Sequence, residues 1–223
     1  MSHTGTEFGL RLMRVVGAQK GITYLSAPIS TGLRDLALMR KYGVTKQELR
    51  ERYPREYRAG VITPNERESH KYAVMVRKLE GDRIVLDPGE LYVPEWTQPD
   101  YWAFWEEAIR GFAVEVALAP GWAFSTGARL EAKVALQTSL KLIDVQGKQL
   151  TPEDLQVIDG KARAHMLRDG WSQAEIESYI PWIDFTTVSF DRSDYNDNVR
   201  AFSDIAERHN TEIRERRGEE KPE

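Results

Sequence analysis

The chain has 223 residues, 41% of them hydrophobic and 30% charged, with a formal net charge of −4 and no cysteine. That length holds one sizeable core, and the acidic balance without a long basic run argues against non-specific nucleic-acid binding. The missing cysteines exclude disulfides, thiolate nucleophiles and thiolate metal sites, and lean towards a cytoplasmic protein.

The N-terminal stretch MSHTGTEFGLRLMRVVGAQ lacks a signal-peptide core, and no apolar run reaches membrane-spanning length. The four histidines, His3, His70, His165 and His209, have no metal-ligand spacing. No metal site and no cofactor is expected. The first strand signal is GITYLSAPIS (21–30), where Ile22, Tyr24 and Leu25 favour β structure and Pro28 and Gly32 close it. Residues 33–62 read as a basic helical insertion with one solvated face, carrying a capping-box pattern at Thr45-x-x-Glu48.

Thr63-Pro64-Asn65-Glu66 reads as a helix start, with Thr63 as N-cap and Pro64 at the first position. That helix runs through Tyr72, Val76 and Leu79 to Gly81. RIVLDP is a short strand. After a loop, Asp100 is placed to cap the helix YWAFWEEAIRGF, which carries Tyr101, Trp105, Ala108 and Phe112 on one face. AVEVALAP is a third strand and KLIDVQ a fourth. Beyond residue 151 come helices opened by Thr151-Pro152-Glu153-Asp154 and by Ser172-x-x-Glu175, then WIDFTTVSF as a last edge strand. The end of the chain is charged and is expected to be a solvated helix fraying into disorder.

Alternating strands and helices predict an α/β fold with a mainly parallel sheet. Ligands of such sheets bind at the carboxyl ends of strands, so SAPIS, DPGE and GWAFSTG are the stretches of interest. They supply Ser26, Pro28, Asp87, Trp122, Ser125 and Gly127 as substrate-binding candidates. Ser125 is either a plain N-cap or, with Thr126 and Gly127, part of an anion site at a helix N-terminus. Arg129 is either a solvated cation or a partner for an anion, and Arg34 is a second such cation. Trp122 is one of six aromatics, with Tyr92, Trp96, Tyr101, Trp102 and Trp105, that divide between packing and stacking on a base. Glu106 and Glu107 are either the wet face of their helix or, in one case, a carboxylate facing a cleft.

YLSAPIS, the LDP strand end and LAPGWAFSTGARLEAKVA together resemble the nucleoside 2-deoxyribosyltransferase-like superfamily, which includes the nucleoside 5′-monophosphate N-glycosidases. The resemblance spans roughly residues 20 to 145 and rests on Ser125-x-Gly127-x-x-x-Glu131 and on Tyr24-Leu25-Ser26-x-Pro28. It implies a flavodoxin-like sandwich over 20–150, usually oligomeric. Residues 151–223, read from their own capping patterns as a mostly helical extension, have no counterpart in the family pattern. The resemblance also implies Glu131 as the nucleophile that attacks the anomeric carbon, with Tyr24 orienting it. Glu107, by spacing, is then the second acid, although the family usually has aspartate there. The serine at 125, where the transferase branch commonly has aspartate, points to the hydrolase branch, with Ser125 holding a 5′-phosphate.

The expected activity is therefore cleavage of the N-glycosidic bond of a nucleoside 5′-monophosphate or a modified nucleotide. The alternatives are base exchange by a nucleoside 2-deoxyribosyltransferase and a non-catalytic nucleotide-binding or sensing protein on the same scaffold. The expected partner is a small nucleotide or nucleoside, in a homo-oligomer that engages neither membrane nor nucleic acid.

Overall fold

The computed structural model describes residues 21–93, 96 and 98–188. The expected charged, fraying C-terminus lies outside the described residues. Four strands, β1 (Ile22–Ser26), β2 (Ile84–Leu86), β3 (Ala113–Leu118) and β4 (Lys141–Asp144), form one all-parallel sheet in the order β2-β1-β3-β4. Helices cover both faces, giving the flavodoxin-like α/β arrangement. The order reverses between β1 and β3, which is where such sheets open a crevice at their carboxyl ends.

The period-two geometry of β1 sets what each face receives. Ile22 and Tyr24 pack with α5 (Gln98–Phe112) and α6 (Thr126–Gln137), while Leu25 and Ala27 pack with Ala73 and Val76 of α4 (Thr63–Glu80). Strand β3 follows the same rule, with Val116 and Leu118 on the α5/α6 side and Ala117 and Ala119 on the other. Tyr24, Leu25 and Val116 are fully buried, as expected for a parallel sheet covered on both faces.

The basic insertion folds as α1 (Leu33–Tyr42), α2 (Lys46–Arg52) and α3 (Pro54–Tyr57). Thr45 caps α2 with the full reciprocal box to Glu48. Arg40, Lys41, Arg52, Arg55 and Arg58 form the exposed face.

Helix α4 does begin at Thr63, but Thr63 is its first helical residue and not an N-cap. The chain runs on from α3 through a π turn, Arg58–Ile62, into α4, and Ile62 and Thr63 are both right-handed helical. Pro64 supplies no N–H for the carbonyl one turn back, and the wider π turn directly upstream accommodates that defect without breaking the rod. Asp100 does not cap α5 either. The helix already begins at Gln98, which leaves Asp100 in the first turn, where an acid still complements the dipole.

The region from 151 is helical as expected, with α7 (Pro152–Arg168) and α8 (Gln173–Tyr179) each opened by a complete capping box. It does not stand apart as an appendage. Leu155, Ala162, Ile183 and Phe185 join the α5/α6 side of the core, and Met166, Ile176, Tyr179 and Ile180 pack on Leu36, Met39 and Leu49 of the insertion. The expected strand at 182–190 is absent over its described part, 182–188. Ile183 and Phe185 alternate inward as strand residues would, with Phe185 edge-on to Trp122. The segment has no ladder partner among the described residues, and Asp184 turns the chain by accepting from the Thr186 N–H and hydroxyl.

Arg129 explains how the extension is fastened. It is fully buried, donates from Nε to Asp159 at 2.8 Å and from Nη1 to the Pro181 carbonyl at 2.5 Å, and Asp159 also binds Arg163 at 2.9 Å. A cation that looks misplaced in the first turn of α6 is thus half of a buried ion pair with α7, not a ligand for an anion. Removing one member of a buried network leaves charge uncompensated, so Arg129→Met is expected to lower unfolding free energy by about 3 kcal/mol. Urea unfolding monitored by circular dichroism measures this, and a change under about 1 kcal/mol would show the clamp to be dispensable.

Candidate active site

Tyr24 and Ser26 lie two residues apart on β1, so both side chains emerge on the α6 face of the sheet. Glu131, in the second turn of α6, meets them. The Tyr24 hydroxyl donates to Oε1 at 2.8 Å and the Ser26 hydroxyl donates to Oε2 at 2.6 Å. Each carboxylate oxygen therefore has one hydroxyl donor, and the group is fixed in orientation with its remaining lone pairs free to meet a ligand.

Burial pushes the Glu131 carboxyl up to about 7, and the two hydroxyl bonds pull it back only in part. The Tyr24 hydroxyl is raised well above its usual range, by burial first and then by the charge and hydrogen bond of Glu131. Tyr24 is accordingly a donor that stays protonated. Hydrogen bonds to a charged group contribute about 1.5 kcal/mol or more, so Tyr24→Phe and Ser26→Ala should each raise the Glu131 titration by about one pH unit. Carboxyl chemical shifts followed through a pH titration test this, and an unmoved midpoint would show that the hydroxyls do not tune the carboxylate.

Glu131 opens onto a shallow recess between α5 and α6. Trp102, Trp105, Ile109, Gly127 and Leu130 line it, and Glu106 adds a second carboxylate. Trp105 also lies against Tyr24, with ring centroids 5.6 Å apart. Glu106 is buried and pairs with Arg110 at 2.6 Å, whereas Glu107 is exposed on the outer side of α5. Of the two acids, the structure places Glu106 with Glu131 and leaves Glu107 outside.

A second, open recess occupies the switch point at the carboxyl ends of β1 and β3. Pro28, Arg34, Asn65, Ser69, Tyr72 and Gly121 line it. Arg34 holds Glu68 with two hydrogen bonds, at 2.8 and 2.6 Å, and Asn65 at 2.9 Å. A phosphate entering here would compete with Glu68 for the guanidinium.

The remaining candidates divide by the same geometry. Gly127 lines the Glu131 recess, where an added Cβ would come within 3.7 Å of Trp102 Nε1 without a clash. Ser125 is 3% exposed. Its oxygen caps α6 by accepting from the Ala128 N–H at 3.3 Å and also accepts from Thr31 at 2.7 Å. The plain N-cap reading accounts for the Ala128 contact, and burial leaves the hydroxyl little open surface. Trp122 is buried in the core against Phe185, so it packs and does not stack on a base. Asp87 is buried at the end of β2, where Ser69 and the Gly89 N–H bind its Oδ1. No family model, curated protein or solved structure matches the chain.

Proposed function

We propose that the protein cleaves the N-glycosidic bond of a nucleoside 5′-monophosphate or a modified nucleotide, with Glu131 as nucleophile. The observation that carries this reading is the carboxylate of Glu131 held by one hydroxyl on each oxygen, at the mouth of a recess walled by Trp102 and Trp105. The half-buried Trp102 is the indole of that wall whose face suits a planar base, while Trp105 backs it from the core. Fixing the carboxylate in one orientation favours attack on a neighbouring carbon over free rotation.

In the first step a Glu131 oxygen bonds to the anomeric carbon as the C–N bond breaks. The bonding pair leaves on the base nitrogen, which takes up a proton from solvent. In the second step water attacks the same carbon and gives up a proton to solvent, the ester C–O bond opens, and the sugar phosphate departs with the Glu131 carboxylate restored. Tyr24 and Ser26 would keep the attacking oxygens aligned, and Glu106, lining the same recess, would accept hydrogen bonds from sugar hydroxyls.

The test is incubation with a panel of nucleoside monophosphates and deoxynucleosides, with free base measured by chromatography. Base release supports hydrolysis. An exchanged nucleoside on adding a second free base assigns the same nucleophile to transfer. Nucleotide binding seen as a thermal shift, with no base released on long incubation, overturns the enzymatic reading in favour of a sensing protein.

A further inference from the structure

Sequence spacing offers no histidine-based metal site, yet folding brings three ligand types together at the carboxyl end of β2. His70 on α4, Asp87 just after β2 and Glu90 in the short turn Pro88–Glu90 each bring one ligand atom within 4.8 Å of the other two. The His70 and Glu90 side chains are more than half exposed and touch each other, with Nδ1 and Oε1 3.0 Å apart. Both can rotate to shorten these separations.

Asp87 is built differently and gives an independent indication. It is 3% exposed. Its Oδ1 is saturated by the Ser69 hydroxyl at 2.5 Å and the Gly89 N–H at 2.9 Å. Gly89 packs so closely that an added Cβ would sit 3.1 Å from that oxygen and 3.2 Å from Ser69 Cβ. The carboxylate is locked in place, while its buried Oδ2 has no hydrogen-bond partner among the described residues. An unsatisfied buried acceptor of this kind costs free energy unless something binds it. Here the open oxygen belongs to the residue that groups with an imidazole and a second carboxylate.

We propose that His70, Asp87 and Glu90 form a binding site for a single first-row divalent cation, Zn²⁺ or Mn²⁺. The imidazole nitrogen favours Zn²⁺ over Ca²⁺ or Mg²⁺, which prefer all-oxygen shells, and the two carboxylate oxygens also suit Mn²⁺. Asp87 supplies the pre-placed ligand. Glu90 would exchange its contact with His70 for the ion, and Arg77, 3.8 Å from the other Glu90 oxygen, would steady it. Because Ser69 both holds Asp87 and lines the switch-point recess, the ion would lie beside that recess.

The experiment uses the full chain stripped with a chelator, titrated with Zn²⁺ by calorimetry and with Mn²⁺ by the electron paramagnetic resonance of the free ion. The expected result is one equivalent bound per chain and a rise in Tm on loading. His70→Ala and Glu90→Gln change exposed side chains and should fold as the parent does, while weakening binding at least about tenfold. Failure of the parent to bind either ion up to about 1 mM would overturn the proposal. So would parental affinity in both variants.

Discussion

Replacing Glu131 with glutamine is expected to reduce base release from any accepted substrate by at least about 10³-fold in kcat/KM, as removal of a nucleophile does when the rest of the site remains. The amide matches the carboxyl in size and can still meet the Tyr24 and Ser26 hydroxyls, so the fold should be unaffected. Circular dichroism and retained nucleotide affinity check that point. The loss should appear in kcat more than in KM, because the group acts on the reacting carbon and contributes little to ground-state binding. Full activity in this variant would remove Glu131 from the chemistry altogether.

The second expectation joins activity to stability with opposite signs. Attack requires the ionised carboxylate, so activity should climb as pH rises through about 7 and level off above it. Stability should run the other way. Folding raises this carboxyl from 4.5 to about 7, so between those values the native protein binds a proton that the unfolded chain has released. Unfolding free energy therefore falls as pH rises across that window. For the parent relative to Glu131→Gln, the fall should total about 3 kcal/mol. It should be absent below the lower value and complete above the upper one. Urea midpoints of the two proteins, measured in parallel from pH 4 to 8, give the difference directly. A flat difference would mean that the carboxyl is not held in the interior as described.

Much of the scaffold is readable before folding because its signals are local. Ile22–Ser26 and Ala113–Leu118 announce buried strands by apolar runs ended with proline, and Thr45, Ser125, Thr151 and Ser172 announce helix starts by their caps. The Tyr24–Ser26 pair is also local, since a strand's two-residue period alone puts both hydroxyls on one face. Glu131 lies further off in sequence, and no local period points to its meeting with Tyr24 and Ser26.

Where reading from sequence stops short, the deciding partner is distant or the pattern does not choose between neighbours. The face of α5 that carries Tyr101, Trp105, Ala108 and Phe112 packs into the core as its spacing predicts, but it does not choose between Glu106 and Glu107. The recess uses Trp102, Trp105, Glu106 and Ile109, a stripe that takes in Glu106 and leaves out Glu107. The Arg110 that follows Glu106 by one turn was an available local signal for it. Arg129 looks unpaired because Asp159 lies thirty residues downstream on another helix. The Ser125 cap could be seen, but its second donor, Thr31, comes from the loop after β1. His70, Asp87 and Glu90 lack a spacing motif because two of the three sit on different elements, with β2 between them.

The π turn at Arg58–Ile62 has a consequence for how this chain tolerates change in length. Such a turn holds one residue more than the α turn it replaces, so it stores an insertion that the rods on either side do not register. Loss of one residue there would convert it to an ordinary turn while Leu49 and Tyr57 upstream, and Asn65 and Ser69 downstream, kept their facing. Elsewhere along α4 the same deletion would turn Ser69 and His70 away from Asp87 and Glu90. Natural variation in length is therefore admissible at this joint and penalised along the rest of the rod.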